Sequence, residues 1–398
     1  MATSAERIRA YEGPALFSLG LRPFFFFGAI WAAVAVPLWI VTYALGPDAL
    51  PVEAGLVFHV HEMVFGYGSA IVAGFLLTAV PNWTGRLPVC GGPLMVLVAL
   101  WAAGRAAMLF QPGPVWLPGV IASAFLVAFA GIVWREVISG KNTRNLKVAG
   151  AVSVLAVANI GFHWMSVTSG GLPQAAIRTG LAVFLFLILL IGGRITPSFT
   201  RNWLGKKGGA MPAPFGRFDG AVLILSLAAL AGWAVFDSAR EASALLVAAG
   251  VLNFARLARW QTQRTLAEPL VTILHVGYAW AAVALLLLGL SGVFPSVIPR
   301  VAGVHAVGAG AIGVMTLAVM TRASLGHTGH VLKAGAGTVL IYALVNLGAL
   351  ARVSAPFLEY SVQMHANHVA SALWAGAFAV FAIVYGPRLL APRPGRAA

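Results

Sequence analysis

The sequence predicts an all-α, polytopic membrane protein with about twelve spanning helices, and three observations carry that reading. Of its 398 residues, 60% are hydrophobic and 9% charged, with a mean hydropathy of +0.89, which excludes an ordinary soluble globular protein. Apolar runs of about 20 residues, enough to cross a bilayer, recur from one end to the other. Lysine and arginine fill the short gaps between these runs and favour alternate gaps. That placement accounts for a net charge of +15 without nucleic acid: the cations follow the positive-inside rule and form no patch for a phosphate backbone. The expected partner is the lipid bilayer of a bacterial inner membrane, and residues 1–398 read as one integral membrane domain.

Taken in order, helices are expected near 24–45, 56–80, 94–110, 115–138, 148–167 and 175–195, then near 218–236, 242–254, 270–290, 301–320, 331–350 and 368–385. Polar or Pro/Gly-rich breaks separate them. The first follows a polar segment and is too long for the apolar part of a cleavable signal, so it is expected to stay. The eighth is short and is followed by Asn253, Arg256 and Arg259, so it is expected to tilt or to lie partly at the interface.

With twelve helices, both termini and every even-to-odd loop share one side. That side holds Arg7, Arg9, Arg22, Arg86, Arg135, Lys141, Arg144, Lys147, Arg194, Arg201, Lys206, Lys207, Arg217, Arg256, Arg259, Arg264, Arg322, Lys333, Arg388, Arg393 and Arg396. The other side holds Arg105, Arg178, Arg240, Arg300 and Arg352. The asymmetry predicts cytoplasmic N and C termini. The second, sixth and tenth helices end in similar text: TAVPNWTGR from Thr78, RITPSFTRNW from Arg194 and AVMTRASLGHTG from Ala318. Spaced about four helices apart, they suggest three quasi-repeats of four helices.

This topology gives each of the nine histidines a depth. His59, His61, His163, His305, His365 and His368 fall toward the outer face, while His275, His327 and His330 fall toward the cytoplasm. With a single cysteine, Cys90, a bound metal must take nitrogen, oxygen or thioether ligands. Imidazoles from facing helices hold haem b and also suit copper. His61 and His305, set into apolar helices among small residues, read as functional. His163 and His275 also fit a simple bond to a neighbouring backbone, and His365 and His368 fit solvation in a polar outer loop. Two residues turn a helix by about 200°, so His59 and His61 are expected to face different surroundings. Glu62, three residues after His59, shares its face, can receive the second ring N–H of a ligating imidazole, and reads as the only carboxylate in a confident apolar span. Gly66, Gly68, Gly308, Gly310 and Gly313 are expected to admit close helices or a flat macrocycle.

Five ordered blocks then carry a resemblance: LRPFFFFGAIWA from Leu21, HVHEMVFGYGSAIVAGFLLTAVPNWTGR from His59, GGRITPSFTRNWL from Gly192, LHVGYAW from Leu274 and HAVGAGAIGVMTLAVMTRASLGHTG from His305. Through them the chain resembles the NnrS family along nearly its whole length. The resemblance implies a bacterial inner-membrane protein that contains haem and copper and is linked to nitric oxide metabolism and nitrosative stress. Its motif histidines fall here on His59, His61, His275, His305 and His327; His330 lies just beyond the last block and His365 outside any. The derived architecture is also similar to the catalytic subunit of haem-copper oxidases and respiratory nitric oxide reductases. It departs from them in lacking histidines on the sixth and seventh helices, which argues against a copied binuclear centre.

The expected function is binding of nitric oxide or a similar small gas, with its reduction or detoxification at a histidine-held site near the outer face. Haem b is expected on His61 and His305 as axial ligands, with His59 and His163 as the next ligands of haem or copper. His275 and His327 are candidates for a second haem. Glu62, Tyr67 and Tyr360 are the outer-side groups placed to assist catalysis, and a quinol or cytochrome is the class of electron donor. Arg194 and Arg322, at helix ends, either bind haem propionates or anchor the protein at the interface. The alternative reading is a transporter or metal-handling permease without redox chemistry, which repeated helical units and intramembrane histidines also suit.

Overall fold

A computed structural model describes residues 11–394 apart from Lys206, and of Arg144 only the backbone. Arg7, Arg9, Lys206 and Arg396, four of the charges assigned to the cytoplasmic side, lie outside the described residues.

Among the described residues there are twelve helices long and apolar enough to cross a membrane. They are α1 (Leu21–Leu45), α2 (Leu56–Thr84), α3 (Gly92–Phe110), α4 (Leu117–Ser139), α5 (Leu146–Ser169), α6 (Gln174–Leu204), α7 (Arg217–Phe236), α8 (Arg240–Ala258), α9 (Pro269–Val293), α10 (Arg300–Thr328), α11 (Ala336–Phe357) and α12 (Tyr360–Leu390). Their number matches the hydropathy reading. The short eighth run extends at both ends into a regular helix, because Arg256 is buried among polar partners. α12 starts at Tyr360, so His365 and His368 are helical rather than part of a loop.

The texts read as the ends of the second, sixth and tenth helices are themselves helical. Pro81 and Pro197 sit inside α2 and α6, where a missing N–H frees a carbonyl. Hydroxyls bond the backbone one turn back in these stretches, Thr78 to Gly74 and Thr84 to Val80 in α2 and Thr200 to Thr196 in α6, as membrane helices require. The same three helices contain the π-helical turns of the described chain, Glu62–Gly68, Ile188–Gly192 and Ala306–Ile312.

The chain divides into two compact units. The first comprises the described part of Met1–Gly180, Ala323–Val331 and Phe381–Ala398, and the second comprises Leu181–Arg322 and Leu332–Val380. Within each, helices adjacent in sequence pack together: α3 on α4 and α4 on α5 in the first, α7 on α8 and α8 on α9 in the second. Lipid offers no hydrophobic drive for such contacts, so small residues set the approach. A Cβ at Gly104 would stand 3.1 Å from the Ala122 backbone, and one at Gly289 would stand 2.6 Å from the Ser243 carbonyl.

The carboxylates buried inside the spans are paired with arginines. Besides Glu62, the spans bury Glu136 in α4 and Asp219 in α7, which corrects the expectation of a single buried carboxylate; both lie near a helix end, where arginines reach them. Glu136 meets Arg86 and Arg135. Arg22, buried at the start of α1, donates from Nη1 to Leu389 O at 2.8 Å and Ala391 O at 2.7 Å. It thereby caps the last carbonyls of α12.

Arg22→Met removes both bonds and is expected to destabilise the protein by about 2 kcal/mol. A lower thermal midpoint in detergent, partly recovered by Arg22→Lys, checks this; an unchanged midpoint contradicts the capping role.

Candidate functional site

In the first unit, Glu62 places a carboxylate near the start of α2 with 0% of its surface exposed. An ionised group there is costly unless neighbours compensate it, and three helices do so. Trp31 of α1 donates from Nε1 to Oε2 at 2.7 Å. Arg105 of α3 sets Nε 2.7 Å from the same oxygen. His61, on α2 itself, donates from Nδ1 to Oε1 at 2.7 Å. Glu62 was expected to share a face with His59; the π-helical winding that begins at Glu62 and the pull of Trp31 and Arg105 set it against His61 instead.

The local backbone makes room for this cluster. A side-chain carbon at Gly66 would strike the Glu62 carboxylate and stand 3.2 Å from Arg105 Nη1, so glycine lets the carboxylate fold back over its own helix. Carbonyls released by the widened turn are taken up: Trp101 Nε1 donates to Gly66 O at 2.9 Å, and Ser69 Oγ donates to Phe65 O and Gly66 O. Gly66 thus accommodates a charge rather than a neighbouring helix, while Gly310 lies against Trp280 and Gly313 against Trp374.

His61 is fully buried. Its Nε2 faces Asn159 Oδ1 of α5 at 2.9 Å, and Asn159 donates from Nδ2 to Ala122 O at 3.4 Å, which orients the amide. Both ring nitrogens of His61 therefore face acceptor oxygens. The ring of His163, also on α5, lies 4.6 Å from that of His61, and its Nε2 is buried without a hydrogen-bond partner. His163 fits because residue 119 is glycine; a Cβ there would stand 2.8 Å from its own Cβ. Phe162 and Phe65 wall the pair, at 5.2 Å and 5.6 Å from the His61 ring. Tyr67 is buried in the π-helical segment. His59 keeps other company, with its ring stacked 4.3 Å from Trp39.

The second unit holds His305, His275, Tyr360, Arg194 and Arg322. His305 directly precedes the π-helical turn of α10 and donates from Nδ1 to Val301 O at 2.9 Å, which makes Nε2 its lone-pair nitrogen. His275 is buried with both nitrogens engaged. Thr200 Oγ1 already donates to Thr196 O, so it accepts from His275 Nε2 at 2.8 Å, and Nδ1 accepts from Thr262 Oγ1 at 2.9 Å. Tyr360 is 73% exposed. Arg322 sets its guanidinium 4.0 Å over the Phe199 ring, and Arg194 lines a cleft.

His327 ends α10 in the first unit, exposed. His330 follows it, with Nδ1 2.8 Å from Thr328 Oγ1; burial, then Arg388 and Arg22, hold its imidazole below the ordinary range. His365 and His368 are exposed and donate to carbonyls one turn back in α12.

Trp31, Arg105, Trp101 and Asn159 were not anticipated. Arg105 was counted as an outer-side charge, yet its guanidinium is buried and stands 5.7 Å from the Trp101 ring centre. Its position in the apolar run of α3, with Glu62 in another run, is the signal that pairs them.

Glu62→Gln leaves Arg105 facing no charge and is expected to cost roughly 3–5 kcal/mol, as is Arg105→Met. In thermal unfolding, Glu62→Gln combined with Arg105→Met should lose clearly less than the sum; strict additivity would speak against the pair.

A comparison with curated proteins finds no match. A comparison with family models finds one, described as NnrS protein, over residues 15–393. The match takes in the blocks around His61, His275 and His305, and a multi-pass helical membrane protein matched over nearly its entire length belongs to the NnrS family.

Proposed function

We propose that the first unit holds an imidazole-bound metal site near the outer face of a bacterial inner membrane, where nitric oxide or a similar small gas binds and is reduced. The observation that carries this reading is the His61–His163 pair, in which one ring is locked to a buried carboxylate and the other keeps an orphan Nε2. The donor set suits copper, which imidazole nitrogens bind well. A carboxylate receiving the other N–H of a ligating histidine is the usual support of such a site, and Glu62 is placed for it. Metal–imidazole bonds of about 2 Å leave no room for a macrocycle between rings 4.6 Å apart, so this pair suits a single ion. Haem b would use the lone-pair Nε2 of His305, or Nε2 of His61 with Asn159 Oδ1 displaced from it. His275, with both nitrogens held by threonines, serves packing.

Bound haem or copper would supply the electrons' route to the gas. The chain's own residues do the rest. Phe65 and Phe162 exclude water, Arg105 and Trp31 fix the Glu62 carboxylate, and Glu62 orients His61 by accepting its Nδ1–H at Oε1. Joining two nitric oxide molecules into nitrous oxide and water consumes two electrons and two protons, so an electron donor of the quinol or cytochrome class is required.

A reduced-minus-oxidised visible spectrum and metal analysis of the purified protein test this. A Soret band lost in His61→Ala or His305→Ala, and copper lost in His163→Ala, are expected. Glu62→Gln should weaken metal binding by about 10- to 100-fold. Anaerobic assays with an electron donor should show nitric oxide consumed as nitrous oxide appears. Absence of both haem and copper would overturn the reading in favour of a permease.

A further inference from the structure

A cleft of about 370 Å³ opens in the second unit, where α6 is followed by an irregular segment. Arg194, Ser198 and Arg201 line it from one face of α6, four and seven residues apart, with Gly193 beside them and Phe215 from the following segment. No carboxylate lines it among the described residues. Within the same residues neither Arg194 nor Arg201 has a side-chain hydrogen bond or ion pair.

An independent observation adds uncompensated positive charge behind the Gly193 wall of the cleft. Arg256 is 0% exposed. Its Nε lies 3.1 Å from Asp219 Oδ1, Nη1 donates to the Tyr278 hydroxyl at 2.5 Å, and Nη2 is buried without a hydrogen-bond partner. A Cβ on Gly193 would stand 2.7 Å from that Nη2, so the orphan N–H groups press on the glycine that lines the cleft. Asp219 is shared with Arg259, 3.1 Å from Oδ2, so one carboxylate faces two guanidiniums and positive charge is left over.

We propose that this cleft binds a phosphate group, carried by an anionic phospholipid or present as the free ion. Guanidinium forks match the several oxygens of phosphate. Phe215, 58% exposed, offers an apolar surface to whatever bears the group. The charge asymmetry assigns this end of α6 to the cytoplasmic side, where the leaflet is anionic. The site is separate in its residues from the histidine site and needs neither haem nor copper.

Delipidated full-length protein in neutral detergent would be titrated with phosphatidylglycerol, with phosphatidylcholine, and with inorganic phosphate against chloride at equal ionic strength, reading the thermal midpoint. The midpoint should rise with phosphatidylglycerol or with phosphate but not with phosphatidylcholine or chloride; the probe that acts identifies the source. Arg194→Gln combined with Arg201→Gln should raise the half-saturating concentration about tenfold or more. Arg240→Gln, exposed in the same unit, should leave it unchanged. No response to either phosphate probe, a response that survives the double variant, or loss of haem in that variant, which would make the ligand a propionate, overturns the proposal.

Discussion

The Glu62 carboxylate stays among apolar helices because N–H donors from α1 and α2 and the guanidinium charge of Arg105 from α3 converge on it. Removing any one would leave a charge or a polar hydrogen unsatisfied where no water replaces it. The cluster therefore ties three helices to one another more specifically than apolar contact does. It also fixes the His61 ring, because the Nδ1 bond to Oε1 determines which nitrogen is turned toward α5. The apolar packing beside it, Phe58 with Ala35, Met108 and Ala122, needs only volume to be right.

Backbone irregularity is concentrated where this chemistry lies. His61 and His305 each stand immediately before a π-helical turn, and a π turn loosens the carbonyl ladder and re-aims the side chains around it. In α2 the loosened carbonyls are recovered by Trp101 and Ser69, so the distortion costs no hydrogen bond at Gly66. Glycine is required there by the carboxylate, since a larger residue would evict it.

The second unit solves the same problem by another route. Its buried histidine, His275, is neutralised by two threonines, so it demands neither a charge partner nor a ligand. Its buried arginine is different: Arg256 meets a carboxylate, a tyrosine and an asparagine and still has N–H groups to spare. Within a low-dielectric span that surplus is the kind of imbalance that a bound anion corrects.

By itself, the sequence determined the helix count, because twelve apolar runs admit no other burial, and the family, because its motif blocks are long and ordered. It also singled out Glu62 and His61, since an ionisable group in an apolar run is conspicuous. It did not disclose their partners. Arg105 looked like an outer-side charge, Asn159 and Trp31 like ordinary helix residues, and Glu62 seemed to belong with His59 by α-helical spacing. Those assignments rest on which helices pack together and on a π-helical turn that changes the angular step between residues. Hydropathy reads one dimension of the chain, whereas a carboxylate's neighbours are chosen across three helices, so only the tertiary structure decided that His61, rather than His59, is the ring held beside His163.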